Sequence, residues 1–291
     1  MLKVGILSDS KGWHFQQLAA AFAQKNVVLE HYYIKDLAMH LTSEKLMTGL
    51  GKSWEECDVL LVRGLPGGSL EQIIMRMDAL HSLEKQGITI INSPTCLEKT
   101  VDKFYTTFLL AKAGLKIPPT IVTERYEEAM EAFYTLGQDI LVKPLFGSGG
   151  KGIVRLENPD LAHRVFKAWQ SCNYVYYIQK FIPCGNKDVR VFVLGDRVLA
   201  AMLRENTFWK ANYACGAKIS PWFLSQEAEE TALKAARATG ADYAGVDLLY
   251  SEEGEILVSE VNGIPGWEGL QQVCSYNVAS EIANYVLANN K

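Results

Sequence analysis

The chain has 291 residues, 48% hydrophobic and 21% charged, an ordinary globular balance that leaves room for a sizeable core and more than one domain and excludes a disordered protein. Its 29 basic and 33 acidic residues give a formal charge of −4 and are mixed along the chain, which argues against nucleic acid or a membrane surface as partner and leaves small molecules as the expectation. MLKVGILSDS has no signal-type apolar region, no window approaches ~18 consecutive apolar residues, and Cys57, Cys96, Cys172, Cys184, Cys215 and Cys274 are scattered without a CxxC pair, so a cytoplasmic protein with reduced, mostly buried thiols is expected.

Residues 1–94 alternate between two periods. LKVGILS, VVLEHYYI, CDVLLVRG and ITIINS read as strands, and 13–24 and 70–85 as helices, the pattern of an α/β layer around a parallel sheet. Ligands of such sheets gather at the carboxyl ends of strands, here Ser8 to Ser10, Arg63-Gly64 and Asn92-Ser93. Arg63 is a candidate for holding a substrate carboxylate, with a structural ion pair as the equally good alternative. A helix over 94–114 then ends at a glycine and meets Pro118-Pro119, a junction.

Next come TIVTE, a helix over 127–136, the strand DILVKP, a glycine loop, the strand IVRL, a helix over 160–171 and the strand YVYYIQKFI. The loop contains GxGxxG at Gly147, Gly149 and Gly152, but the adjoining segment, Ile153 to Asn158, is β-branched and too short before Pro159 to be the helix a dinucleotide fingerprint requires. The glycines therefore join two strands. Such a flap can hold phosphates through its backbone N–H groups, and on this segment alone an ordinary glycine-rich hairpin explains it equally well. Lys143, at the end of DILVKP, is placed either to reach those phosphates or to punctuate the surface.

The last section carries two hairpins, turning at Gly195-Asp196 and at Glu253-Gly254, with a loop and a helix between them. A two-residue turn at Glu253-Gly254 puts Asp247 directly opposite Glu260, with Asn262 on the same face. Two carboxylates and an amide oxygen, set among apolar neighbours, suit Mg²⁺ better than an incidental acidic patch. Asp188 and Arg190 share one face of DVRVFV. Arg204, Lys210 and Asn212 come after it in a loop rich in aromatic and small residues, where a terminal phosphate and a bound carboxylate would meet them.

In order, Asp102-Lys103, Val142-Lys143-Pro144, Gly147 to Gly152, Gln179-Lys180-Phe181-Ile182, Asp188 to Val193, Ala244 to Leu249 and Ser259-Glu260-Val261-Asn262 resemble the ATP-grasp superfamily, and within it the RimK-type α-L-glutamate ligases. The resemblance implies an α/β (α+β) ATP-grasp fold in three parts: an N-terminal parallel-sheet domain over 1–94, a central domain with the flap over 95–178, and an antiparallel-sheet domain with a metal site over 179–291. It implies that Lys103 and Lys143 contact nucleotide phosphates, that Gly147, Ser148, Gly149 and Gly150 close over them, and that the backbone of Gln179, Lys180, Phe181 and Ile182 reads adenine. Asp188 would lie in the nucleotide pocket, Arg190, Lys210 and Asn212 near the phosphates, Arg204 with Asn212 at the oxyanion, and Asp247, Glu260 and Asn262 on Mg²⁺, or Mn²⁺ in its place. The family usually carries Glu at Lys180 and an Arg-Gly-Gly stretch at Tyr213 to Ala217. Trp267, after the metal strand, is open between a substrate ring and the core, and is carried with Arg63 as a substrate candidate.

The implied activity is ADP-forming ligation of an amino acid, glutamate first, to a carboxylate acceptor, a cofactor such as a pterin or a peptide or protein C-terminus, through an acylphosphate, in a cytoplasmic enzyme whose relatives are often dimers or tetramers. The alternatives are a ligase using another amine, as in glutathione or dipeptide synthesis, and a silent ATP-binding protein, against which the retained lysines and metal set stand.

Overall fold

The computed structural model describes residues 1–41, 46–48, 53–147, 149–209 and 216–289. The N-terminal part contains β1 (Leu2–Leu7), α1 (Trp13–Ala23), β2 (Val27–Tyr32), a small antiparallel pair β3 (Met39–Leu41) and β4 (Leu46–Thr48), β5 (Val59–Val62), α2 (Leu70–Lys85) and β6 (Thr89–Ile91). Its main sheet is parallel, in the order β2-β1-β5-β6. The start of α2 is fixed locally by a capping box in which Ser69 accepts from the Gln72 amide and Gln72 reaches back to the Ser69 amide.

The expected single helix over 94–114 is two, α3 (Pro94–Val101) and α4 (Lys103–Lys112). The break is at Asp102, an extended residue whose carboxylate caps α4 by accepting from the Tyr105 amide at 3.0 Å. Lys103 is thereby set at the first position of a new helix. Both helices pack on the last domain, α3 also touches α2, and Thr107 of α4 shares a 2.7 Å hydrogen bond with Tyr177 of the central sheet.

The central sheet comprises β7 (Thr120–Thr123), β8 (Ile140–Lys143), β9 (Val154–Leu156) and β10 (Tyr176–Lys180), antiparallel in the order β7-β10-β8-β9, with α5 (Tyr126–Thr135) and α6 (Pro159–Ser171). Ile140, Val142, Tyr176 and Ile178 join the buried cluster under these helices, and by alternation Leu141, Lys143, Tyr177 and Gln179 take the other face. The glycine loop joins β8 to β9, which pair directly. Gly147, Gly149, Gly150 and Gly152 all have positive φ, which is why glycine recurs there.

The last sheet is antiparallel in the order β13-β12-β11-β14-β15, from β11 (Lys187–Leu194), β12 (Arg197–Glu205), β13 (Lys218–Pro221), β14 (Tyr243–Tyr250) and β15 (Ile256–Asn262). One face, with Val189, Val191, Val193, Val246 and Val258, packs on α7 (Gln226–Thr239) and on Leu110 of α4. At the other face, Phe192, Leu194, Met202 and Tyr243 share a core with the N-terminal sheet, α1, α8 (Glu268–Val273) and α9 (Val278–Ala288). The remainder of that second face opens on a cleft. Of the five described cysteines only Cys57 and Cys96 are buried, so the thiols are less hidden than the sequence suggested. No helix among the described residues is long and apolar enough to cross a membrane.

Candidate active site

The cleft lies between the inner faces of the central and last sheets and is open to solvent. Leu141, Ile153, Phe181, Ile182 and Leu249 make one apolar stretch of its lining, and Lys143, Lys187, Asp188, Asp247 and Glu260 a charged one. A contiguous recess adds Thr100, Lys103, Thr107 and Tyr177 around the same Lys143 and Glu260. The structure thus brings together the two lysines, Gln179 to Ile182, Asp188 and two of the three metal candidates.

The charged floor is set by strand register. Arg204 of β12 faces Asp188 of β11, Arg190 of β11 faces Asp247 of β14, and Asp247 faces Glu260 of β15. Arg204 is therefore a strand residue and not, as expected, part of the following loop. It donates to both oxygens of Asp188 at 2.5 and 2.8 Å and to Asp247 at 2.9 Å. Arg190 grips Asp247 through Nε and, at 2.8 Å, through its terminal nitrogen. All four residues are largely buried, and their fork-to-carboxylate geometry compensates the desolvation.

These partners leave marks on acidity. Burial pushes Asp188 up to about 6 against the pull of Arg204, with Asp247 adding to the rise. Burial acts on Asp247 in the same sense, but Arg190 and Arg204 overcome it and hold that carboxyl below the usual range. Burial lowers Lys143 to about 8, opposed by Glu260 and reinforced by Lys103. Lys103 is lowered for the same first reason.

Asp247 and Glu260 are opposite each other as expected, but by a different route. Tyr250 pairs with Ile256, so the loop runs from Ser251 to Glu255 and is longer than two residues, and a β-bulge skips Ser259. The bulge changes which way β15 faces. Val258 packs under α7, whereas Glu260, two residues on, lines the cleft. Plain alternation would have put both on one side. Among the described residues the Glu260 carboxylate makes no hydrogen bond, and Asn262 Oδ1 accepts from the Ile264 amide at 2.9 Å.

Lys143 donates to the buried Gln179 Oε1 at 2.6 Å, and Gln179 Nε2 donates to Thr120 and Tyr177 at 3.0 and 3.2 Å. The Gln179 side chain thus orients the lysine. The amides of Lys180 and Phe181 are used by Pro119 and Asp139, leaving the Ile182 amide without a backbone partner among the described residues. Lys103 Nζ donates to the flap carbonyl of Gly147 at 2.8 Å. Phe181 has the Arg155 guanidinium 3.7 Å from its ring centre and meets the Trp209 ring at right angles, with 6.4 Å between the ring centres. Trp209, at the cleft wall, has no distinguishing signal in the sequence, where it is one aromatic residue in a loop with several.

Two substrate candidates lie away from the cleft lining. Trp267 is fully buried, edge-on to His14 and Phe192, so its ring packs in the core, one of the two places the sequence left open for it. Arg63 spends its terminal nitrogens on Tyr243 Oη (3.0 Å) and the Pro265 carbonyl (2.8 Å), contacts that reach from the end of β5 to the last sheet and the segment leaving it. Ser148, Lys210 and Asn212 lie outside the described residues.

Residues 100–286 match the model of the RimK-like ATP-grasp domain. The tetrahydromethanopterin:alpha-L-glutamate ligase of Methanosarcina acetivorans is 29% identical, covering 98% of this chain and 99% of its own. Its counterpart in Methanocaldococcus jannaschii is 36% identical over 80% of each chain. The alpha-aminoadipate–LysW ligase LysX of Saccharolobus solfataricus is 32% identical over 68% of this chain and 74% of its own. The solved ATP-grasp ligase PsnB, complexed with minimal precursor, Mg and ADP, shares the fold at a TM-score of 0.76 and 18% identity, covering 99% of this chain and 98% of its own. With the ordered motifs carried on a matching fold, the chain belongs to the RimK-like ATP-grasp family of ligases, ADP-forming enzymes that make amide bonds.

Proposed function

We propose that the cleft binds ATP with Mg²⁺ and joins L-glutamate to a carboxylate acceptor, a carboxylate-bearing pterin being the first to test. The observation that carries the reading is the cross-strand order Arg204, Asp188, Arg190, Asp247, Glu260, which faces Lys143 and Lys103 across one cleft and ends in a carboxylate without a hydrogen-bond partner among the described residues. The pterin is favoured because the ligases acting on tetrahydromethanopterin match this chain along nearly its whole length.

The donors suit a hard divalent ion. Glu260 is open, Asn262 Oδ1 has a second lone pair, and Asp247 keeps a lone pair on Oδ1, its arginines engaging Oδ1 once and Oδ2 twice. Among the described residues no group of three or more His, Cys, Asp or Glu comes together, so these three side chains would hold the ion with phosphate and water completing its shell. A bound ion would offset negative charge on the terminal phosphates.

An acceptor carboxylate oxygen attacks the γ-phosphorus, the bond to the bridging oxygen breaks, and ADP leaves with that electron pair. Lys143, Lys103, Arg190 and Arg204 surround the path with cations that are fixed before charge develops. The amine of glutamate then adds to the acyl carbon of the acylphosphate, loses its proton, and expels phosphate to leave the amide. Closure of the glycine flap over Lys103 and Lys143 keeps water from the acylphosphate.

The test is ADP release from ATP and Mg²⁺ with glutamate against a panel of pterin, other small-molecule and peptide carboxylates, with mass spectrometry of products and Glu260→Ala as control. A glutamate mass increment that depends on the acceptor and is lost in the variant is expected. Incorporation of a different amino acid, and none of glutamate, would overturn the substrate claim.

A further inference from the structure

The carboxyl ends of β5 and β6 carry the residues that an open α/β sheet usually offers to a ligand, yet both reach into the last domain. Asn92 is fully buried. It donates to the carbonyls of Tyr243 (2.8 Å) and Gly263 (2.6 Å) and accepts from the amides of Asp242 (2.7 Å) and Tyr243 (3.1 Å). All four hydrogen-bonding positions of the amide are used. One side chain thus bridges the start of β14 to the segment leaving β15, just beyond the last ladder pair, Gly245 with Asn262.

That segment is held nearly residue by residue. Asn262 itself takes the Ile264 amide, Arg63 takes the Pro265 carbonyl, and His14 Nε2 accepts from the Trp267 amide at 3.1 Å. The Arg63 guanidinium also lies 4.4 Å from the centre of the Trp267 ring. Gly263 is pressed against α3 so closely that an added Cβ would clash with Thr100 Oγ1.

We propose that Asn92, assisted by Arg63, is a positioning residue of the N-terminal domain for the metal end of the cleft: it fixes the turn that begins at Asn262 and so holds the amide oxygen of Asn262 beside Glu260. The inference rests on the reading of Asp247, Glu260 and Asn262 as the metal set. An amide oxygen is a neutral ligand, and Mg²⁺ tolerates little departure from octahedral geometry, so its contribution depends on where the backbone holds it. Partners that orient a ligand without touching the ion influence affinity for that reason. An interdomain tie with no such role would affect stability alone.

The test uses the full-length protein with ADP and measures Mn²⁺ binding by electron paramagnetic resonance of the free ion, together with KM for Mg²⁺ and ADP affinity in chelator. Asn92→Ser is expected to weaken Mn²⁺ about tenfold, to raise the Mg²⁺ requirement alike, and to leave metal-free ADP binding in place. Arg63→Gln shifts the same quantities less. Should Asn92→Ser fail to fold, Gly263→Ala carries the test: it weakens Mn²⁺, and Thr100→Ala, which removes the clashing oxygen, restores it. Unchanged Mn²⁺ affinity in folded variants overturns the inference while leaving the site intact. Absence of saturable Mn²⁺ binding in the wild type overturns the reading of the site itself, and the inference with it.

Discussion

One face of the last sheet does two different jobs within the length of a single strand. Along β11 the alternate residues Asp188, Arg190, Phe192 and Leu194 share that face. Asp188 lines the cleft and Arg190 lies beneath it, bound to Asp247, while the last two pack against the N-terminal domain with Met202, Tyr243 and Trp267. Buried polar groups occur in both halves. In the docked half Asn92 is satisfied by four backbone partners and Tyr243 Oη by the Val62 carbonyl and Arg63, while Arg63 Nε and Trp267 Nε1 are buried without a hydrogen bond among the described residues. In the cleft half the charges satisfy one another, and Glu260 stands outside the network. A polar group whose partner is another mobile side chain can exchange it for a ligand, and this separates a site from a joint.

The largest effect should come from the centre of the cleft half. Arg204→Leu removes the cation shared by Asp188 and Asp247 and leaves two carboxylates confronting each other out of water, so denaturant unfolding should show a loss of about 3–5 kcal/mol along with loss of ADP release. Glu260→Ala should reduce ADP release by about 10²–10³ while moving unfolding free energy by no more than about 0.5 kcal/mol. A stability loss as large as that of Arg204→Leu would mean that Glu260 is a structural member and the contrast false. Phe192→Leu, on the same face and two residues from Arg190, should cost roughly 1–2 kcal/mol with KM and kcat preserved.

The smallest effect is a pH slope. Lys143 is held at about 8 by burial, so nucleotide affinity measured by calorimetry should fall as pH rises through 8 and the cation is lost. Unfolding free energy of the free protein should move oppositely, rising from pH 8 towards the ordinary lysine range, because the unfolded chain then binds a proton that the folded one does not. Lys143→Met should abolish both slopes, and their persistence in that variant would place the titration elsewhere.

Much of the site was legible in the sequence because its motifs are local. Asp188 and Arg190 obey strand alternation, and the glycines between two strands mark positive φ. The pairing of Asp247 with Glu260 came from a turn taken too short, and the bulge at Ser259 compensated for it. Nothing in the local sequence marks that bulge, since Ser259 sits within the β-branched and apolar pattern of any strand. The break at Asp102 was missed because the apolar spacing continues across it, and the final helix α9 was not read from the pattern at all.

Arg63, Asn92 and Trp267 mark the limit of such reading. Their types and their place after strands or after β15 were consistent with ligands, and a single sequence holds no signal for which surface will cover a strand end. The sequence by itself determined the alternation of elements, the flap, the cationic and anionic strand faces and the family, because each depends on residues close together in the chain. Only the tertiary structure decided that the carboxyl ends of β5 and β6 are a joint and that the face of β11 opens halfway along. Both depend on which layer docks where, a choice set by the burial of α1, α8 and α9 with Phe192, Tyr243 and Trp267 in one core assembled from the two ends of the chain.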